Sequence, residues 1–117
     1  MLMIIGGKRS SCVRGHLPSK VKPSDLEEVD GVIFCDCASS ETVLKLIEED
    51  AKSEITYILE HAWAVADSRQ SRSRSVAAFA LWCMEASKLS TVVLLTREVS
   101  HITKTLREVA DLRFDFN

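Results

Sequence analysis

Apolar residues fall into short continuous runs, with helical stripes between them. Met1 to Ile5 is an apolar run stopped by Gly6-Gly7, the pattern of a buried strand. After an Asp30-Gly31 turn, Val32-Ile33-Phe34-Cys35 is the clearest strand, continuous and rich in β-branched and aromatic residues, so it should be covered on both faces. Ser39 or Ser40 can cap a helix whose apolar stripe is Val43, Leu44, Ile47 and Ala51. Ile55, Ile58, Leu59, Ala62 and Ala66 recur at helix spacing and predict a second helix from Ser53 to about Ala66. Val76, Phe79, Ala80, Cys83 and Met84 predict a third, from about Ser73 to Lys88. Thr91 to Leu95 returns to strand character, and Val99, Ile102, Leu106 and Val109 stripe a last helix. Leu112 to Phe116 alternates apolar and polar, as a half-buried edge strand does.

Residues 8–24, with Gly15, Pro18 and Pro23, read as a loop, and Ser24 with Glu27 can open one helical turn before Val29. Four short strands cannot bury both faces unaided, so helices must pack on them. The expected architecture is α/β (α+β): a small mixed four-stranded sheet packed with four to five helices, one compact domain over residues 1–117.

Composition narrows the class. With 117 residues, 46% apolar and 27% charged, the chain has the make-up of an ordinary globular domain with one core. The net charge of −2 argues against a generally basic nucleic-acid binder, and no DNA partner is expected. Charge is nevertheless uneven, with five bases and no acid over residues 1–24 and eleven acids against Lys45 and Lys52 over residues 25–60. Differently charged regions allow differently charged partners. The opening apolar run is too short for a signal core, and no run approaches the ~18 residues of a membrane span. A cytoplasmic protein with no membrane partner and with reduced thiols is expected.

Candidate chemistry is sparse. Cys35-x-Cys37 lacks a second ligand pair at zinc spacing. With Cys12 and Cys83 they read as buried structural thiols. Gly6-Gly7-Lys8-Arg9-Ser10 follows a strand as a phosphate loop does, but it lacks the earlier glycine and no periodic helix follows at once. His16, His61 and His101 form no catalytic pattern with a cysteine. No catalytic residue, cofactor or metal ligand is assigned, and no enzyme is expected. Trp63 and Trp82 suit a core edge or a partner contact. The distinctive stretch is Ala66 to Ser75, where Arg69, Arg72 and Arg74 alternate with serines between two apolar-periodic segments. Guanidinium forks at that density suit phosphate or carboxylate oxygens.

The chain resembles the small kinase-binding subunit of the archaeal and eukaryotic KEOPS complex, the PRPK-binding-protein family. Met3-Ile4-Ile5-Gly6-Gly7 is similar to that family's first strand and glycine, and Val32 to Leu44 to its second strand, acidic residue and helix opening. The family's helix bearing a glutamate is followed six residues later by Ala-Ser-Gly-x-Arg-Gln-Ile; here Glu60 is followed six residues later by Ala66-Asp67-Ser68-Arg69-Gln70. The resemblance implies a non-catalytic accessory subunit that binds and supports the KEOPS protein kinase and helps hold tRNA during threonylcarbamoyladenosine formation. Glu60, Trp63, Ser68, Arg69, Gln70, Arg72, Arg74, Lys8 and Arg9 are then the expected partner or RNA contacts. The alternative is a stand-alone protein-interaction or regulatory α/β domain that binds no RNA.

Overall fold

The computed structural model describes residues 1–7, 26, 28–67, 69 and 73–115. Five strands form one sheet: β1 (Leu2–Gly6), β2 (Val32–Asp36), β3 (Thr56–Glu60), β4 (Thr91–Thr96) and β5 (Leu112–Asp115). They lie in the order β2-β3-β4-β1-β5 and every pairing is parallel. Three helices accompany them: α1 (Ser40–Glu48), α2 (Arg74–Leu89) and α3 (Lys104–Val109). The α/β class and the single compact domain agree with the sequence reading. The sheet is neither mixed nor four-stranded, and among the described residues three α-helices and two 3-10 turns replace the four to five helices expected.

The added strand is β3, in the segment expected to be helical. Ile55, Ile58, Leu59 and Ala62 satisfy helix spacing, yet Ile55-Thr56-Tyr57-Ile58-Leu59 is also a continuous apolar run. A strand inside a parallel sheet is buried on both faces and has no reason to alternate. Tyr57 to Glu60 are all buried, with Tyr57 and Leu59 facing one core and Ile58 the other. Once β3 sits between β2 and β4, the chain from β2 onward alternates strand and helix, and parallel pairing follows there because each return needs a crossover.

Serine caps set the helix starts. Ser39 accepts from the Thr42 backbone N–H at 3.4 Å at the head of α1, and Ser73 accepts from that of Val76 at 3.2 Å at the head of α2. The buried face of α1 is Thr42, Val43 and Leu46, so Leu44, expected on the apolar stripe, is exposed. The last helix begins at Lys104 instead of Val99, because Val99–His101 forms a 3-10 turn. The Asp30-Gly31 turn is present, closed by Val29–Val32 hydrogen bonds of 2.9 and 3.0 Å, with both turn residues at positive φ.

Val43 and Leu46 of α1, Phe79, Ala80, Trp82, Cys83 and Ala86 of α2, and Leu106 of α3 join one core against Leu2, Ile4, Ile33, Cys35, Tyr57, Leu59, Val92 and Leu94. All three helices thus cover one face. The opposite face holds a second buried cluster of Phe34, Ile58, Val93 and Leu95. The expectation that β2 is covered on both faces is met, since Ile33, Phe34 and Cys35 are all buried. β5 is an edge strand as expected, but exposed at all four positions instead of half-buried. The expected loop over residues 8–24 and helical turn at Ser24 lie outside the described residues, as does Phe116.

Candidate functional site at the carboxyl edge of the sheet

Parallel pairing sends the ends of all five strands to one edge. Asp36 ends β2, Glu60 ends β3, Thr96 ends β4, Gly6 ends β1 and Asp115 ends β5. The chain's progress across the sheet reverses here. From β1 it continues to the far edge at β2, then returns through β3 and β4 and passes over β1 to β5. Neighbouring strands that lead off in opposite directions across the sheet mark the carboxyl ends at which open parallel sheets hold ligands. β1 and β4 are those neighbours, and the Gly7 backbone N–H donates to the Thr96 carbonyl at 3.1 Å.

A cavity of about 310 Å³ opens beside β4, lined by Trp63, Asp67, Arg69, Arg97 and His101. Its two walls are tied together by a Thr103 N–H to Ala66 carbonyl hydrogen bond of 2.9 Å and by an Asp67–Ile102 bridge. The Arg97 guanidinium lies 4.5 Å above the Trp63 ring, a cation–π contact. Arg69 donates to Asp67 from Nε at 3.3 Å, from Nη2 at 3.1 Å and from its backbone N–H at 2.9 Å. These bonds hold the Asp67 carboxyl below the ordinary carboxylate range, the side-chain bond contributing most. His101 Nε2 is 3.7 Å from Glu98, an exposed and weak pair.

Next to this cavity, Asp36, Glu60 and His61 bring three ligand atoms within 4.8 Å of one another. Asp36 and Glu60 are direct cross-strand partners. Glu60 is only 8% exposed. His61 Nδ1 hydrogen-bonds Asp36 Oδ1 at 2.8 Å, and its backbone is left-handed at φ 55°. Its ring meets the edge of Trp63 at 6.5 Å between centroids. The Cys37 N–H donates to the Glu60 carbonyl at 2.8 Å and the Ala38 N–H to Asp36 Oδ1 at 3.0 Å, which fixes the two strand ends.

The expected contact residues separate in space and in role. Glu60 is on no helix; it ends β3, which removes the glutamate-bearing helix on which part of the family resemblance rested. Trp63, in the 3-10 turn Ala62–Ala64, and Arg69 both line the cavity. Arg69 is a member of an ion pair with Asp67, so its charge is already matched. Arg74 is exposed in the first turn of α2. Lys8, Arg9, Ser68, Gln70 and Arg72 lie outside the described residues. Asp36, Asp67 and Arg97 are not candidates from sequence, and His61 and His101 enter there only as possible partners of a cysteine. Asp36, His61 and Arg97 share one signal, a polar residue at or just beyond the end of an apolar strand, which marks the carboxyl edge only once the strands are known to be parallel.

Cys35 and Cys37 do not point apart. Residues two apart along an extended chain share a face, and the Cys37 thiol lies in the same core as Cys35 and Cys83. All three are buried, as expected of structural thiols. The hydrogen bond with Cys35 and burial push the Cys37 thiol well up, and burial does the same to Cys83.

No known family model matches the chain, and neither does any curated protein. Among solved structures, a chain in the "Structure of E. coli MS115-1 HORMA:CdnC:Trip13 complex" is similar, with a TM-score of 0.58 and 12% identity. That likeness covers 99% of this chain and 47% of the other, so this chain spans about half the length of its structural neighbour. At that identity the fold alone is shared. Among the described residues, no helix is long and apolar enough to cross a membrane.

Proposed function

We propose that this domain binds a phosphate-bearing ligand of nucleotide type at the carboxyl edge of its sheet, as a binding module and not as a catalyst. The observation that carries this reading is the reversal between β1 and β4, with a cavity beside it that joins an aromatic ring, Trp63, to a guanidinium, Arg97. An aromatic face suits a base, and a guanidinium suits phosphate oxygens. The chain also continues from Gly6-Gly7 at the end of β1 into Lys8-Arg9-Ser10-Ser11, a donor-rich sequence leaving that strand. From sequence this segment counted against a nucleotide loop, and it still lacks the earlier glycine of hydrolytic phosphate loops and has Arg9 where they carry serine or threonine. That absence favours binding without turnover.

The test is Trp63 fluorescence titrated with ATP, ADP, adenosine and inorganic phosphate. Saturable quenching by ATP and ADP, lost in Arg97→Ala, is the expected result. Absence of any saturable response to about 1 mM, a free energy weaker than about −4 kcal/mol, refutes the reading.

The KEOPS accessory role implied by the resemblance is the rival proposal, with the kinase subunit and tRNA as partners. Its remaining support is the layout of strands around Gly6-Gly7 and Val32 to Leu44, together with the exposed Arg69 and Arg74. Co-purification with an archaeal KEOPS kinase subunit tests it. In a tRNA shift assay, each phosphate-contacting arginine removed should lower the salt slope by roughly 0.7.

A further inference from the structure

We propose that Asp36, Glu60 and His61 form a divalent-metal site selective for borderline ions such as Co²⁺ or Zn²⁺. This inference stands on its own donors and does not depend on the phosphate reading. Asp36 and Glu60 are directly opposed on neighbouring strands, so two carboxylates meet at one place on the carboxyl edge. Glu60 is buried, which places one of the two donors out of bulk water. His61 adds a nitrogen donor from the turn that follows β3.

The spacing suits one ion. Ligand atoms on metal bonds of about 2.1 Å stand roughly 3.0–4.2 Å apart for angles between 90° and 180°. The three atoms here lie within 4.8 Å of one another, so a pair at that limit needs to close by about half an ångström and the His61–Asp36 pair at 2.8 Å to open by a few tenths. Coordination through His61 Nδ1 takes the hydrogen-bonding proton off that nitrogen and leaves it on Nε2. Imidazole beside two carboxylates favours Zn²⁺ or Co²⁺ over Ca²⁺ and Mg²⁺, which prefer oxygen alone. Three protein ligands leave a further position for water or for an anionic oxygen.

The site is pre-formed. Its donors sit on the ends of two paired strands, held by the Cys37–Glu60 and Ala38–Asp36 hydrogen bonds. His61 occupies a left-handed backbone position that glycine adopts without strain. His61→Gly therefore removes the nitrogen donor from a fold that has no steric reason to resist the change.

The experiment is calorimetric titration of the full chain with CoCl₂ and with ZnCl₂, in a Cys12→Ser background that removes the thiol outside the described core. Tryptophan emission is followed in parallel, because Trp63 lies edge-on to the His61 ring. One-site binding is expected, with Co²⁺ quenching that disappears in Trp63→Phe while the binding heat persists. His61→Gly and Asp36→Asn should each weaken binding by about 100-fold or more, beyond what loss of an outer-shell partner usually costs. Circular dichroism melting should show both variants folded. The proposal is overturned if neither metal binds saturably below about 1 mM, a free energy weaker than about −4 kcal/mol. It is equally overturned if both folded variants bind as the parent does.

Discussion

Gly6 ends β1 at the carboxyl edge of the sheet, and the loop after β4 lies directly against it. A Cβ built on Gly6 would stand 2.9 Å from the Val99 backbone nitrogen and 3.2 Å from both the Glu98 carbonyl carbon and Val99 Cγ2, where ordinary contact begins at 3.4 Å. Gly6→Ala therefore demands a shift of about 0.5 Å in backbone. β1 cannot supply it, because it is paired to β4 on one side and β5 on the other. The loop is itself tied down by the Thr103–Ala66 hydrogen bond. Overpacking of this kind costs roughly 1–3 kcal/mol. With a urea slope of about 1–3 kcal/mol per molar, the midpoint should fall by about 1 M with the slope unchanged.

The displaced loop carries Arg97 and His101, so ATP quenching of Trp63 should weaken in the same variant. Gly31→Ala is the control. Nothing lies within 4 Å of its Cβ position, and only its φ of 78° penalises alanine, by roughly 1 kcal/mol. Gly31→Asn should recover part of that loss, since asparagine tolerates left-handed backbone. A Gly6→Ala protein as stable as the parent, with unchanged slope, would refute the close-approach argument and the rigidity claimed for the cavity wall.

Alkaline lability follows from the buried thiols. Cys37 and Cys83 keep their protons in the fold above the ordinary value of 9.0, whereas in the unfolded chain they lose them there. The unfolded state then binds fewer protons, so stability is level below pH 9 and falls above it, by up to about 1.4 kcal/mol per thiol per pH unit. Urea midpoints that do not fall between pH 8 and pH 10 would contradict it. The Thr103 hydroxyl is buried and has no hydrogen-bond partner among the described residues. Thr103→Val should raise stability by about 1 kcal/mol in the same assay, and a loss would mean that the hydroxyl is paired. Trp82 stacks edge-on to Tyr57 at 5.0 Å and donates to the Glu49 carbonyl at 3.2 Å. Trp82→Ala should cost about 3–5 kcal/mol, whereas Trp63→Ala, at the half-buried rim, should cost less than half as much while abolishing the ligand response. Chemical denaturation of both variants checks the contrast.

Local chemistry was legible wherever one short segment carried its own signal. The runs Met1–Ile5, Val32–Cys35 and Thr91–Leu95 could be recognised as strands, Ser39 or Ser40 as a cap and Ser73 as a helix start, because continuous burial and side-chain-to-backbone bonding are properties of a few consecutive residues. Thr56–Glu60 was not legible. Its spacing satisfies a helix and its content a buried strand, and only a place between β2 and β4 decides between them.

That single strand governs the rest. Without it, Glu60 and His61 are neighbours on a helix and Asp36 is a turn residue 24 positions away. With it, parallel register puts Asp36 opposite Glu60 and gathers Trp63, Asp67 and Arg97 at one edge. The amino-acid order by itself determined the α/β class, the strand and cap positions just named and the burial of the thiols, since each follows from side chains within a turn or a strand length. Which strands adjoin, which ends meet and which charges therefore face each other were decided by the closing of the sheet, because those contacts join residues that have no local means of finding one another.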